Sequence, residues 1–154
     1  MTNLSNYPQH PVDEPLPRFI TIPDPAPGAE IIYNCPARHR FKLLSFSCIL
    51  TTSVVVANRN VILLLTQGPS MLLASNAAFN HVGGLQWIYH FIPGQYQATF
   101  TAVTDRFVQA PYPFHLFNGQ TFQTMTANLD VADQFSDIRL YAFSWPDFVN
   151  IPPA

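Results

Sequence analysis

Seven of the first 28 residues are proline (Pro8, Pro11, Pro15, Pro17, Pro23, Pro25 and Pro27), and no other feature restricts the chain so strongly. Proline fixes φ, removes a backbone donor and pushes the residue before it toward extended conformations. Residues 1–28 can therefore form neither a helix nor an inner strand. They are expected to be an extended, polyproline-like arm in which Phe19-Ile20-Thr21-Ile22 can pair as an edge strand. A disordered tail is the competing reading. Against it, Leu16, Phe19, Ile20 and Ile22 give the arm apolar anchors, and the prolines lower the entropy lost on docking. The candidate binding residues are accordingly Pro8, Pro11, Pro15, Leu16, Pro17, Phe19, Ile20 and Ile22, suited to gripping a neighbouring subunit.

Beyond Pro27-Gly28 the pattern changes to short apolar runs separated by turn signals every eight to twelve residues. Glu30–Cys35 places Ile31, Tyr33 and Cys35 on one face. Arg40–Thr52 reads as a long strand with Phe41 and Leu43 on one face and Leu44, Phe46, Cys48 and Leu50 on the other. Residues 61–66 are apolar at nearly every position, which marks a strand buried on both sides or one whose outer face meets a partner. Further strands are expected at Met71–Ser75, Leu85–Ile92, Tyr96–Val103, Tyr112–Phe117, Gln120–Asn128 and Ile138–Trp145. Asn118-Gly119 signals a two-residue type I′ hairpin turn. Ala74–Phe79 is the one stretch suited to a short helix, and Gly83-Gly84 reads as a flexible turn. About eight or nine strands at this spacing predict an all-β, antiparallel sandwich, best matched by a jelly roll. The expected organisation is an arm over 1–28, a sandwich over 29–146 and a tail over 147–154.

Composition then bears on what such a domain does. Charged residues make up 10% of the chain, against about 25% in an average soluble domain. Lys42 is the single lysine, and Glu14 and Glu30 are the two glutamates. A protein that works alone in water keeps a dense, mixed-sign surface. This chain instead carries amides, hydroxyls and 13 Phe, 6 Tyr and 2 Trp, residues that often anchor interfaces. A monomer with a neutral polar surface is the alternative to a subunit covered by neighbours. The net charge of −2 supplies no field for nucleic acid, and the run Arg38, His39, Arg40, Lys42 reads as a solvated strand start. No stretch has the length of an apolar membrane span. No signal-peptide pattern opens the sequence. Cys35 and Cys48 are expected to be buried thiols.

No constellation for catalysis is visible. His10, His39, His81, His90 and His115 lie far apart, without a His-x-His pair, and neither a nucleophile elbow nor a phosphate loop appears. Asp130, Asp133 and Asp137 crowd one loop, where turn and capping duty is expected over a calcium site. No catalytic residue, metal or cofactor is therefore assigned. Carbohydrate binding through an aromatic platform, with Trp87 beside Tyr89 or with Trp145, is the alternative, although periodicity turns Trp87 and Tyr89 toward the core.

Two segments resemble a known group. One is Arg40-Phe-Lys-Leu-Leu-Ser-Phe-Ser-Cys-Ile-Leu-Thr-Thr-Ser53 with Ala57-Asn58-Arg59, following Cys35-Pro36-Ala37. The other is Thr126-Ala-Asn-Leu-Asp-Val-Ala-Asp-Gln-Phe-Ser-Asp-Ile-Arg-Leu140. Together, over about a third of the chain, they are similar to small virion proteins of tailed bacteriophages, the group that includes capsid decoration or cement proteins. Arg38 departs from the glycine expected after Pro-Ala. The resemblance implies a β-sandwich on the capsid exterior, commonly a homotrimer, that clamps adjacent copies of the major capsid protein in a particle assembled in the host bacterial cytoplasm. It carries over no catalytic residue. A neck, tail or fibre protein of the virion is the nearest alternative.

Overall fold

The computed structural model describes residues 15–37, 39–94, 98–99, 104–110 and 115–146, and every regular element among them is a strand. In chain order these are β1 (Leu16–Ile22), β2 (Ile32–Asn34), β3 (His39–Thr51), β4 (Asn60–Gln67), β5 (Ser70–Asn76), β6 (Gln86–Pro93), β7 (Ala98–Thr99), β8 (Asp105–Ala110), β9 (His115–Leu116), β10 (Gln120–Ala127) and β11 (Gln134–Pro146). One sheet runs β1-β11-β3-β6-β8-β7, with β9 also paired to β3; the other runs β2-β10-β4-β5. The two face each other as a sandwich, with one hydrophobic core between them. The last strand, β11, lies between β1 and β3, while β10 lies between β2 and β4. The last two strands thus fold back between earlier ones, β11 in one sheet and β10 in the other. Pairing is antiparallel except for β6 and β8, which run parallel.

The core follows from alternation. Phe46 on β3, Phe91 on β6 and Phe122 on β10 are fully buried, and Phe46 meets Phe122 edge-on at 4.7 Å across the gap between the sheets. Each ring removed from water contributes on the order of 2–3 kcal/mol. Three bulges correct the simple alternation. Ser45 pairs with Tyr141 and Leu43 with Ala142, so Leu44 is an extra residue. Phe41 and Leu43 therefore share the buried face with Phe46, Cys48 and Leu50, where strict alternation divides them between two faces. A second bulge near Asp137, at φ 48°, turns both Phe135 and Ile138 inward and lets β11 begin in what reads as a polar loop. The third lies on β5, where Leu65 pairs with Leu73 and Thr66 with Met71.

Other expectations change as well. Ala74–Phe79 is not helical; β5 continues to Asn76. β8 was not anticipated, and of the strand expected over Tyr96–Val103 only Ala98–Thr99 falls on a described strand. At Asn118-Gly119 φ is positive at Gly119 but not at Asn118. The turn is therefore not type I′, and the strands it joins enter different sheets: β9 pairs with β3, and β10 with β2 and β4.

Candidate interaction surfaces

The segment expected as an arm runs, over Leu16–Ile22, as the edge strand of the larger sheet, paired along its whole length with β11. Alternation splits its anchors. Ile22 is buried and Ile20 packs against the chain's own core, so neither is open to a partner. Phe19 is 84% exposed and stacks on Tyr141 at 4.3 Å, and Leu16 and Pro17 are also exposed. Pro15 is half-buried, while Pro8 and Pro11 lie outside the described residues.

One end of the sandwich gathers four connections: residues 23–31, 52–59, 77–85 and 128–133. They are tied around a buried ion pair between Arg59 and Asp133, with Nε to Oδ2 at 2.9 Å and neither side chain exposed. Arg59 also donates to the carbonyls of Val55 (2.7 Å) and Ala57 (3.0 Å) and to the Ser53 hydroxyl (3.1 Å). Asp133 accepts from the backbone amides of Ser53 (2.7 Å) and Asp130 (2.8 Å). Burial pushes the Asp133 carboxyl up, but these amides and Arg59 outweigh it and hold the group below the usual range. The Gly28 amide donates to the Asp133 carbonyl at 2.7 Å. His81 exchanges both backbone hydrogen bonds with Arg59. Its Nε2 faces the Leu85 carbonyl at 3.2 Å, and its Nδ1 faces the Tyr89 hydroxyl at 3.3 Å. The carbonyl can only accept, so Nε2 carries a proton, and in the neutral ring Nδ1 accepts from the Tyr89 hydroxyl. Burial pushes His81 down to about 4, aided by the Arg59 and Arg106 charges.

This frame fixes the roles of the loop aspartates. Asp133 is the buried counterion, Asp130 accepts from the Ala132 amide and the Ser53 hydroxyl, and Asp137 pairs with Arg139. Among the described residues no group of three metal-ligating side chains comes together. Gly83 is more than a flexible turn: a Cβ there would sit 2.5 Å from the Val55 carbonyl oxygen, so the loops approach too closely for a side chain. The frame supports a crown of exposed apolar residues, Val54, Val55, Val56, Val82, Leu85 and Val131.

The outer face of the four-stranded sheet is the second open surface. Residues 61, 63 and 65 point to the core, which leaves Ile62, Leu64 and Thr66 on the other face, where Leu64 is itself buried and Ile62 and Thr66 are half-buried. Register places Thr121, Gln123 and Met125 of β10 beside them, then Ile32 and Asn34 of β2 on one flank and Met71, Ala74 and Asn76 of β5 on the other. No outward position of these strands is charged. Ile32, Met71, Leu72 and Met125 are all exposed. The continuous apolar run of β4 is thus a strand with one face in the core and the other in an uncharged surface.

The remaining candidates are placed as follows. Trp87 stacks on His81 at 4.2 Å and carries the Arg106 guanidinium 3.8 Å from its centroid, so its ring is already occupied; Tyr89 is buried. Cys35 and Cys48 are both buried, the former donating its thiol to the His39 carbonyl at 3.4 Å. Glu30 accepts from the Thr124 hydroxyl at 2.7 Å and from the Thr126 amide, fastening the start of β2 to β10. His90 pairs with Asp105 at 3.2 Å.

No protein-family model matches the chain, and no curated protein matches it. Among solved structures, a chain of infectious bursal disease virus, Gx strain, matches at 11% identity and a TM-score of 0.35 over 88% of this chain and 42% of that one. A chain of the Gt strain matches at 12% identity and a TM-score of 0.33 over 94% and 37%. The chain spans about two fifths of the length of these viral chains, and the likeness is too loose to assign a role.

Proposed function

We propose that this chain is a non-catalytic structural protein of a virus particle, working as a subunit covered by its neighbours. The supporting observation is the outer face of β2-β10-β4-β5, where Ile32, Met71, Leu72 and Met125 are exposed and Ile62 is half-buried, without a charged side chain. Contiguous apolar surface of this kind marks protein contact sites, and loss of charge is the compositional signature of an interface centre. The low charge of the whole chain and the exposed valine crown point the same way.

Within that reading, the sequence resemblance favours a capsid decoration or cement protein over a neck, tail or fibre component. Its partners would be the major capsid protein and sister copies, commonly in a trimer, on the capsid exterior. Residues 1–18, with Phe19 at their end, would extend the contact from the edge strand. Quantitative gel staining of purified particles tests this: a cement protein is present in hundreds of copies, a neck or tail protein in tens. Deleting residues 1–18 lowers occupancy and the heat stability of the particle. Full occupancy with unchanged heat stability overturns the role of that segment.

A further inference from the structure

The outer face of the larger sheet contrasts with that of the smaller one. Where β3, β9 and β11 meet, register sets Arg40 opposite Trp145, and Lys42 between Phe143 and His115. The Arg40 guanidinium lies 4.8 Å from the centroid of the Trp145 ring. His115 stands 6.0 Å from Trp145 and 5.9 Å from Phe117, and Phe143 closes the group at 6.4 Å from Trp145. We propose that this face carries a binding site for acidic carbohydrate, in which Arg40 and Lys42 take the sugar's carboxylate or sulfate and the exposed His115 ring, beside the Arg40-covered Trp145, takes its apolar ring face.

Charge complementarity identifies the ligand. Among the described residues the aspartates near this sheet are already engaged, Asp105 with His90 and Asp137 with Arg139, and neither Arg40 nor Lys42 forms an ion pair. The Nε donor of Arg40 is shielded from solvent with no acceptor among the described residues. Burial lowers the pKa of His115, and the Arg40 and Lys42 charges lower it further. Flat aromatic faces beside planar donors suit a pyranose that also bears an anion. A single-stranded nucleic acid fits less well, because it needs cations that track a backbone over several nucleotides. Here the surface continues along β3 into Ser45, Ser47 and Ile49.

Titration of the full chain with sialyllactose, followed by the indole signal of Trp145 in nuclear magnetic resonance, tests the site. Sialyllactose is expected to shift that signal at millimolar concentrations while uncharged lactose does not. Lys42→Gln and Arg40→Gln are each expected to weaken binding by about tenfold or more, as loss of a charge-assisted hydrogen bond does. Lys42 has no part in the core, so its variant keeps the test open even if Trp145→Ala unfolds the protein. An unshifted indole, equal response to lactose, or unchanged binding by Lys42→Gln overturns the proposal. Tighter binding of oligothymidylate than of sialyllactose also overturns it, and would assign the face to nucleic acid.

Discussion

Replacing Asp133 by alanine removes the centre of the four-loop frame. The substitution deletes the acceptor for Arg59 Nε (2.9 Å) and Nη2 (3.2 Å) and for the amides of Ser53 (2.7 Å) and Asp130 (2.8 Å). It also leaves the Arg59 guanidinium, which has no solvent exposure, without a countercharge. Removing one partner of a buried pair typically costs about 3–5 kcal/mol, mostly because the other charge stays buried. A domain of this size loses about 2–4 °C of Tm per kcal/mol, so the midpoint should fall by about 6–20 °C. Thermal unfolding followed by circular dichroism, with urea unfolding as a second measure, reads the loss. The double variant Arg59→Met with Asp133→Leu removes both charges and should recover the part of the loss due to the unpaired charge, though not the part due to the Ser53 and Asp130 amides and the Val55 and Ala57 carbonyls that it leaves without partners. A loss below about 1 kcal/mol for Asp133→Ala, or a double variant as unstable as the single, would refute the reasoning that an unpaired buried charge dominates.

Three further outcomes follow from the same geometry. His81 has its folded pKa pushed from 6.5 to about 4, so its contribution is complete above pH 6.5 and is lost as pH falls toward 4. That loss amounts to about 3 kcal/mol at most, and a His81 ring titrating near 6.5 by nuclear magnetic resonance would contradict it. Gly83→Ala should cost about 1–3 kcal/mol in urea unfolding because its Cβ meets the Val55 and Ser53 carbonyls, whereas the same change at open Gly68 should cost about 1 kcal/mol through its positive φ alone. Phe19→Ser, at a position 84% exposed, should leave Tm within about 2 °C but reduce occupancy on particles; undiminished occupancy would remove β1 from the interface.

Much of the architecture was legible in residues that obey a period of two. Trp87, Tyr89 and Phe91 alternate without interruption, and the core face of β6 follows directly. Reading failed where a bulge adds a residue, since Leu44 and Asp137 carry no local mark that distinguishes them from ordinary strand positions. β8 escaped because Asp105 and Arg106 open it with charges, one pairing with His90 and the other lying over Trp87, partners that only the fold supplies. The edge strand was foreseen from its prolines, but which of its apolar residues face outward depends on register with β11. The uncharged outer sheet was half-visible in the unbroken apolar run of β4. The cation–aromatic cluster was not, because Arg40, His115 and Trp145 are joined by pairing across distant segments.

Sedimentation equilibrium of the purified chain and of Ile62→Lys over a wide concentration range tests the central claim most directly. A lysine at the middle of the uncharged face leaves the core positions 61, 63 and 65 untouched. The wild-type chain is predicted to self-associate as concentration rises, while Ile62→Lys stays monomeric with the same circular dichroism spectrum. A wild-type chain that remains monomeric at every concentration, and that ignores assembled virus shells, would contradict the account.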